Sequence, residues 1–117
     1  MRRFAKGRKR PIPGTMNKLE EKYANYLEGL KVLGEIEDYK YEPIALRLAR
    51  RTTYTPDFMV MLLDGTLEFH ETKGFWEEDA RVKIKVAANM FPFRFLAIKE
   101  KPKKSGGGWD IEEIKPI

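Results

Sequence analysis

The sequence predicts an α/β domain, and three observations carry that reading. Leu19, Tyr23, Tyr26, Leu27, Leu30 and Leu33 recur at three- and four-residue spacing, the period of an amphipathic helix over Asn17–Leu33. Two strand-like runs, Tyr54–Leu62 and Thr66–Lys73, flank Asp64-Gly65, a strong hairpin turn signal. A second helical stretch, Glu77–Met90, is followed by the β-rich run Phe93–Ile98. Helix, strands, hairpin, helix and strand in that order define a single α/β unit.

The elements follow in order along the chain. Residues 1–14 form a basic arm. Arg2, Arg3, Lys6, Arg8, Lys9 and Arg10 precede any acid, and Pro11, Pro13 and Gly14 break the segment up. The first helix opens on Asn17 and stops at Gly34, a residue suited to a helix C-terminus. Ile36–Tyr41 and Leu46–Arg50 read as strands or extended segments. In the second helix Ala80, Ile84, Ala87 and Ala88 line the face expected to pack on the sheet, while Glu77, Glu78 and Asp79 suit the positive end of the helix dipole. The chain then offers a lysine-rich loop running into Ser105-Gly106-Gly107-Gly108, and a last short strand or strap, Trp109–Ile114. Residues 15–117 are expected to form one domain.

Composition narrows the chemistry. With no cysteine, disulfides and thiolate zinc sites are excluded, and the lone His70 excludes a histidine-rich metal site. No run approaches the ~18 apolar residues of a membrane span, so a soluble cytoplasmic protein is expected. The net charge is +5, and the six cations of the arm leave the rest of the chain at −1. The basic character therefore lies in the arm, which is either a solvated tail or a polyanion-binding segment held by counterion release.

The hairpin carries the most specific signal. Residues two apart on a strand share a face, so Glu71 and Lys73 project together while Thr72 points away. Leu67 and Phe69 start the same face as apolar, and Glu71 and Lys73 end it as charged, which suits a site at the rim of a core. Asp57 stands on the neighbouring strand. Two carboxylates and an ammonium converging on one point can hold a divalent cation and steer a water. Taken alone, Glu-x-Lys is also a common surface ion pair. On the opposite face from Glu71, His70 reads as a surface or packing residue rather than a base.

Pro56-Asp57 followed by Glu71-Thr72-Lys73 resembles the motif of the PD-(D/E)xK nuclease superfamily. The longer run Tyr54-Thr55-Pro56-Asp57-Phe58 … Glu71-Thr72-Lys73-Gly74-Phe75-Trp76 is similar to the phage endonuclease I type of Holliday-junction resolvase, and more distantly to the archaeal type. The resemblance covers residues 17–100. It implies a central mixed β-sheet flanked by helices, the restriction-endonuclease-like core, and metal-dependent hydrolysis of DNA phosphodiesters. It also implies that Asp57 and Glu71 bind Mg²⁺, with Mn²⁺ able to substitute, and that the Thr72 backbone carbonyl completes the inner shell. Lys73 then orients the attacking water or stabilises the developing phosphorane charge. Such nucleases add an acid from the first helix. On a 100° wheel Glu20 falls at the edge of the apolar stripe and Glu21 on the solvated face, so Glu20 is the candidate, for a second metal or an outer-shell water. The same spacing, Asn17-x-x-Glu20, is also that of a capping box.

The expected partner is branched DNA, a four-way junction above all. Two symmetric nicks from a chain with one site require a homodimer. Phosphate contacts are expected from the arm, from Thr55, from Arg81 and Lys85 on the second helix, and from Lys101, Lys103 and Lys104. Phe75 and Trp76 can pack under the site, anchor a dimer or stack on DNA. A phage origin would put the protein in the host cytoplasm. A flap- or nick-directed nuclease and a non-catalytic DNA-binding module remain as alternative readings. Finally, the absence of Gln and Cys, with 35% charged residues, suits a heat-adapted source. The purified protein is expected to survive heating well above mesophile melting temperatures; unfolding near ~50 °C in a thermal melt would contradict this.

Overall fold

The computed structural model describes residues 14–74 and 78–116. It is an α/β fold with a five-stranded mixed sheet, two helices and a separate two-stranded hairpin. The arm up to Pro13, and Phe75, Trp76 and Glu77, lie outside the described residues. Among those described, no helix is long and apolar enough to cross a membrane.

Helix α1 spans Lys18–Val32 and starts where the sequence marks it. Asn17 accepts from the Glu20 N–H, the Glu20 carboxylate accepts from the Asn17 N–H, and the capping box closes. The sheet contains β1 (Asp38–Tyr41), β4 (Phe58–Met61), β5 (Leu67–Thr72), β6 (Arg94–Glu100) and β7 (Trp109–Ile114), in the spatial order β1-β4-β5-β6-β7. Between β5 and β6 runs α2 (Glu78–Met90), and that pair of strands is parallel while the other pairs are antiparallel. The crossover helix explains this, because parallel neighbours need a long connection and a two-residue turn cannot provide it.

At the β4–β5 turn Gly65 adopts φ +89°, Asp64 accepts from the Thr66 N–H, and the pairing sets Phe58 opposite His70. That register brings Asp57 abreast of Glu71. It also fixes the two ends of the sheet. Tyr41, Asp57, Thr72 and Ile98 mark one, and Asp38, Met61, Leu67, Arg94 and Ile114 the other.

One expected strand is broken. Tyr54 to Leu62 does not run as a single strand. Thr52–Tyr54 is β3, paired with β2 (Leu46–Ala49) in a hairpin of its own, and β4 begins only at Phe58. Pro56 sits in the gap, and a residue without an N–H cannot continue the ladder. The break reverses the facing: Tyr54 packs with Phe69, Ile84 and Phe95 under α2, whereas Phe58 packs with Tyr23, Leu27 and Ile98 under α1. The sheet is thus covered on both sides, by α1 on one and by α2 with the β2–β3 hairpin on the other. In α2, Ile84, Ala87 and Ala88 are buried as the helical period predicts, and Ala80 is half-buried.

Both faces of β5 are consequently inside the protein. Glu68, His70 and Thr72, on the face opposite Glu71, are buried on the side that α1 covers. Tyr23 on α1 meets them with its ring edge-on to Phe58 and Trp109.

Candidate active site

Asp57 and Glu71 meet at the end of the sheet where β3, β4 and β5 converge, and each is only 6% exposed. They are held by reciprocal bonds across the strands. Asp57 Oδ2 accepts from the Thr72 N–H and the Thr72 hydroxyl, both at 2.9 Å. Glu71 Oε1 accepts from the Asp57 N–H at 3.1 Å and from the Tyr54 hydroxyl at 3.0 Å. The second Glu71 oxygen faces Lys73, whose Nζ lies 3.4 Å away. That ammonium is more than a third exposed, so it forms the wet edge of the site.

Burying two carboxylates side by side disfavours their charges. Burial pushes Asp57 up to about 8, and the neighbouring Glu71 charge adds to the effect, as does Glu20; the Thr72 bonds oppose it. Burial also raises Glu71, with the Lys73 ammonium and the Tyr54 hydroxyl opposing. Tyr54 is raised too, by its own burial first and then by the Glu71 charge, which keeps it a neutral donor. With both charges disfavoured, the metal-free pair tends to hold protons and is poised to exchange them for a cation.

A pocket of about 350 Å³ opens beside the pair. Thr53, Tyr54 and Thr55 line it from β3 and the following residue, Glu71 and Lys73 from the end of β5, and Asp79, Ala80 and Lys83 from α2. Two cations thus reach a single cavity that touches Glu71. The Lys83 ammonium donates to the Thr53 carbonyl at 3.2 Å and ties the helix to the hairpin at the pocket wall.

Glu20 closes the capping box and also bonds toward the sheet. One carboxylate oxygen, Oε1, accepts from the Asn17 N–H and from the Tyr41 hydroxyl, each at 2.9 Å. Tyr41 pairs with Phe58 on the strand that follows Asp57, so this bond fastens the start of α1 to the site. The Glu20 charge is felt at Asp57. Among the described residues, however, no three His, Cys, Asp or Glu side chains group to hold a metal ion. The pair Asp57 and Glu71 fits Mg²⁺ on different grounds. That ion keeps several waters and is commonly held by one or two carboxylates together with substrate phosphate. Two buried carboxylates with raised pKa values are a donor set that a dication would relieve.

The predicted DNA contacts are distributed unevenly. Thr55 lines the pocket. Arg81 does not, since its guanidinium bonds both oxygens of Glu112 on β7, at 3.1 and 3.3 Å. Lys85, Lys101, Lys103 and Lys104 are exposed, the last two in a 3-10 turn over Lys103–Ser105. Arg2, Arg3, Lys6, Arg8, Lys9 and Arg10 fall outside the described residues.

Three residues at the site were not singled out from the sequence. Tyr54 stood in the motif run, but only the Pro56 break turns it toward Glu71. Lys83 was legible, because on a helical wheel it falls beside Ala80 and Ala87, at the opposite edge of the apolar face from Arg81. Glu42 had no signal: it adopts φ +46°, and its N–H donates to the Asp57 carbonyl at 2.8 Å.

His70 lies on the other face, 5% exposed. Its Nδ1 meets the Tyr23 hydroxyl at 2.6 Å and its Nε2 meets Glu68 at 3.0 Å; Glu68 is paired with Arg94, which also holds Glu113. This chain of bonds fastens α1 to β5, which is a packing role and leaves the ring remote from the pocket. Burial raises the Tyr23 hydroxyl, which keeps it protonated.

Comparison with protein-family models, curated proteins and solved structures finds no match to this chain.

Proposed function

We propose that this protein is a Mg²⁺-dependent endodeoxyribonuclease of the PD-(D/E)xK kind, and that its substrate is the four-way DNA junction, cut by a homodimer. The observation that carries the reading is the buried Asp57–Glu71 pair beside a pocket into which Lys73 and Lys83 also reach. A pure DNA-binding module gains nothing from that pair, since carboxylates facing phosphate weaken binding. A metal-dependent hydrolase needs it.

A bound Mg²⁺ would supply positive charge to the phosphoryl oxygens and lower the pKa of the attacking water. The remaining steps fall to the chain itself. Asp57 and Glu71 would hold the ion, fixed in orientation by Thr72, the Asp57 N–H and Tyr54. Lys73, at the open edge, would donate to the attacking water or to the scissile phosphate as charge builds on it. Thr55 and Lys83 would grip the phosphate from the facing wall. Glu20, through Tyr41, would order outer-shell water on the α1 side.

The test is a cleavage assay with Mg²⁺ on a synthetic four-way junction beside flap, nicked and linear substrates, with protein mass measured in solution. Paired, symmetric nicks near the branch point by a dimer are expected, with little activity on linear duplex. A monomer that trims flaps and leaves junctions whole would overturn the resolvase reading and keep the nuclease one. No cleavage of any substrate with Mg²⁺ or Mn²⁺ would overturn both.

A further inference from the structure

The β2–β3 hairpin stands apart from the main sheet and leads straight into the site, since β3 ends at Tyr54 and Asp57 follows three residues later. Its inner face is fixed. Leu46 and Tyr54 are buried under α2, Leu48 packs against the same cluster, and the Tyr54 hydroxyl donates to Glu71. Its outer face and tip are different in kind. Arg47 is exposed opposite Thr53, which lines the pocket, and Arg50 and Arg51 are exposed at the turn. Residues 43–56 contain no acid.

Five arginines lie among the described residues, and they divide clearly. Arg81 and Arg94 are bonded to carboxylates. The side chains of Arg47, Arg50 and Arg51 have no hydrogen bond or ion pair among the described residues. Arg51 moreover takes φ +61°, a left-handed conformation that strains a side-chain-bearing residue and that glycine adopts freely. A turn that folding alone would fill with glycine carries a guanidinium instead.

We propose that this hairpin is a DNA-backbone grip. Arg47, Arg50 and Arg51 would bind the phosphates of the duplex arm that flanks the scissile phosphate, continuing outward the line of charge that starts at Lys73 and Lys83. The partner is DNA because these cations have no acid partner among the described residues and guanidinium forks match phosphate oxygens. Their path is also continuous with a pocket whose chemistry suits phosphodiester hydrolysis, so the identity of the partner rests on the nuclease reading. Three residue steps of strand take the chain from Arg51 to Tyr54, about 10 Å, which is the axial rise of roughly three nucleotides. The grip would thus act close to the cut and set which strand enters the pocket.

The experiment compares two double variants of equal net charge. Arg50→Ala with Arg51→Gly removes the tip cations and gives the left-handed position the residue that suits it. Lys31→Ala with Lys115→Ala removes two cations at the opposite end of the sheet, where Lys31 pairs with Asp38 and Lys115 follows Ile114. Binding to a fluorescent duplex and to a four-way junction is measured in EDTA across a salt series, with thermal melts to verify folding. The tip variant is expected to bind roughly tenfold more weakly at physiological salt and to lose about 2 from the slope of log K against log salt. The control should lose less than half as much of each. Equal losses would mean that only net charge matters, and a tip variant that binds like wild type would remove the hairpin from the interface; either result overturns the proposal. Mg²⁺-dependent cleavage by the wild type, scored separately, distinguishes the two readings. Cleavage without a tip effect ends the grip alone, and a tip effect without cleavage ends the nuclease reading alone.

Discussion

Asp57→Asn or Glu71→Gln is expected to lower Mg²⁺-dependent DNA cleavage by ~10³-fold or more while DNA binding in EDTA stays the same or tightens. Neither change adds negative charge, and each removes whatever charge its carboxyl carries where the proposed phosphate would lie. Each also keeps an oxygen where the structure needs an acceptor. The amide oxygen introduced at position 57 would still accept from the Thr72 N–H and hydroxyl, and the one introduced at position 71 from the Tyr54 hydroxyl and the backbone N–H of residue 57. The amide variants therefore separate chemistry from folding, which alanine would not. Alanine at 57 leaves the Thr72 N–H without its partner, a loss of about 1–3 kcal/mol. Lys73→Ala should also depress cleavage, by ~10²-fold, because it deletes one preorganised donor and leaves both carboxylates in position. Single-turnover cleavage, binding and melting of each variant decide the matter. Cleavage within tenfold of wild type in the Asp57→Asn protein would remove that residue from the reaction. Loss of binding and folding together would make the pair a structural one.

The parts of this site that were legible in the sequence are those that local rules determine. Asp64-Gly65 fixes the turn, the turn fixes the register, and the register brings Asp57 level with Glu71. Asn17 and Glu20 specify the start of α1 in the same way. What was not legible depends on contacts far apart along the chain. Whether His70 lies on the surface or packs inside, with Glu68 beside it, is decided by Tyr23 and Arg94, and neither partner is near in sequence. Tyr54 and Phe58 share a parity and would share a face on one strand, but Pro56 breaks the ladder and sends them to opposite cores. Arg81 and Lys83 are equally basic in sequence. Only the position of Glu112 on β7 reveals that Arg81 is committed elsewhere.

The burial of the carboxylate pair has a consequence for stability, and the expected result is that the metal-free protein loses stability as pH rises from about 5 to 8. Asp57, pushed up to about 8 by burial and by Glu71, titrates far above its unfolded value near 4, and Glu71 is raised as well. Between those values the folded state binds more protons than the unfolded one, so the free energy of unfolding falls as pH increases. The window opens at the ordinary carboxylate range and closes near 8. Because the two groups share one site, the net effect is on the order of a few kcal/mol, or roughly 10 °C in Tm for a domain of this size. Two additions at pH 8 should reverse it. Mg²⁺ or Mn²⁺ binds the folded state alone and raises Tm with concentration. Asp57→Asn removes the buried charge, so the variant should melt above the metal-free wild type at pH 8, lose most of the pH slope and respond weakly to either ion. Melting curves at several pH values in EDTA, with and without added metal, test the three parts together. A wild-type Tm that stays flat over this range, or a slope that Asp57→Asn leaves unchanged, would show that the pair is not the strained element of the fold. The proposed activity and the instability would then have one origin, since the burial that would sharpen the electrostatics of the site is what makes its charges unfavourable without an ion.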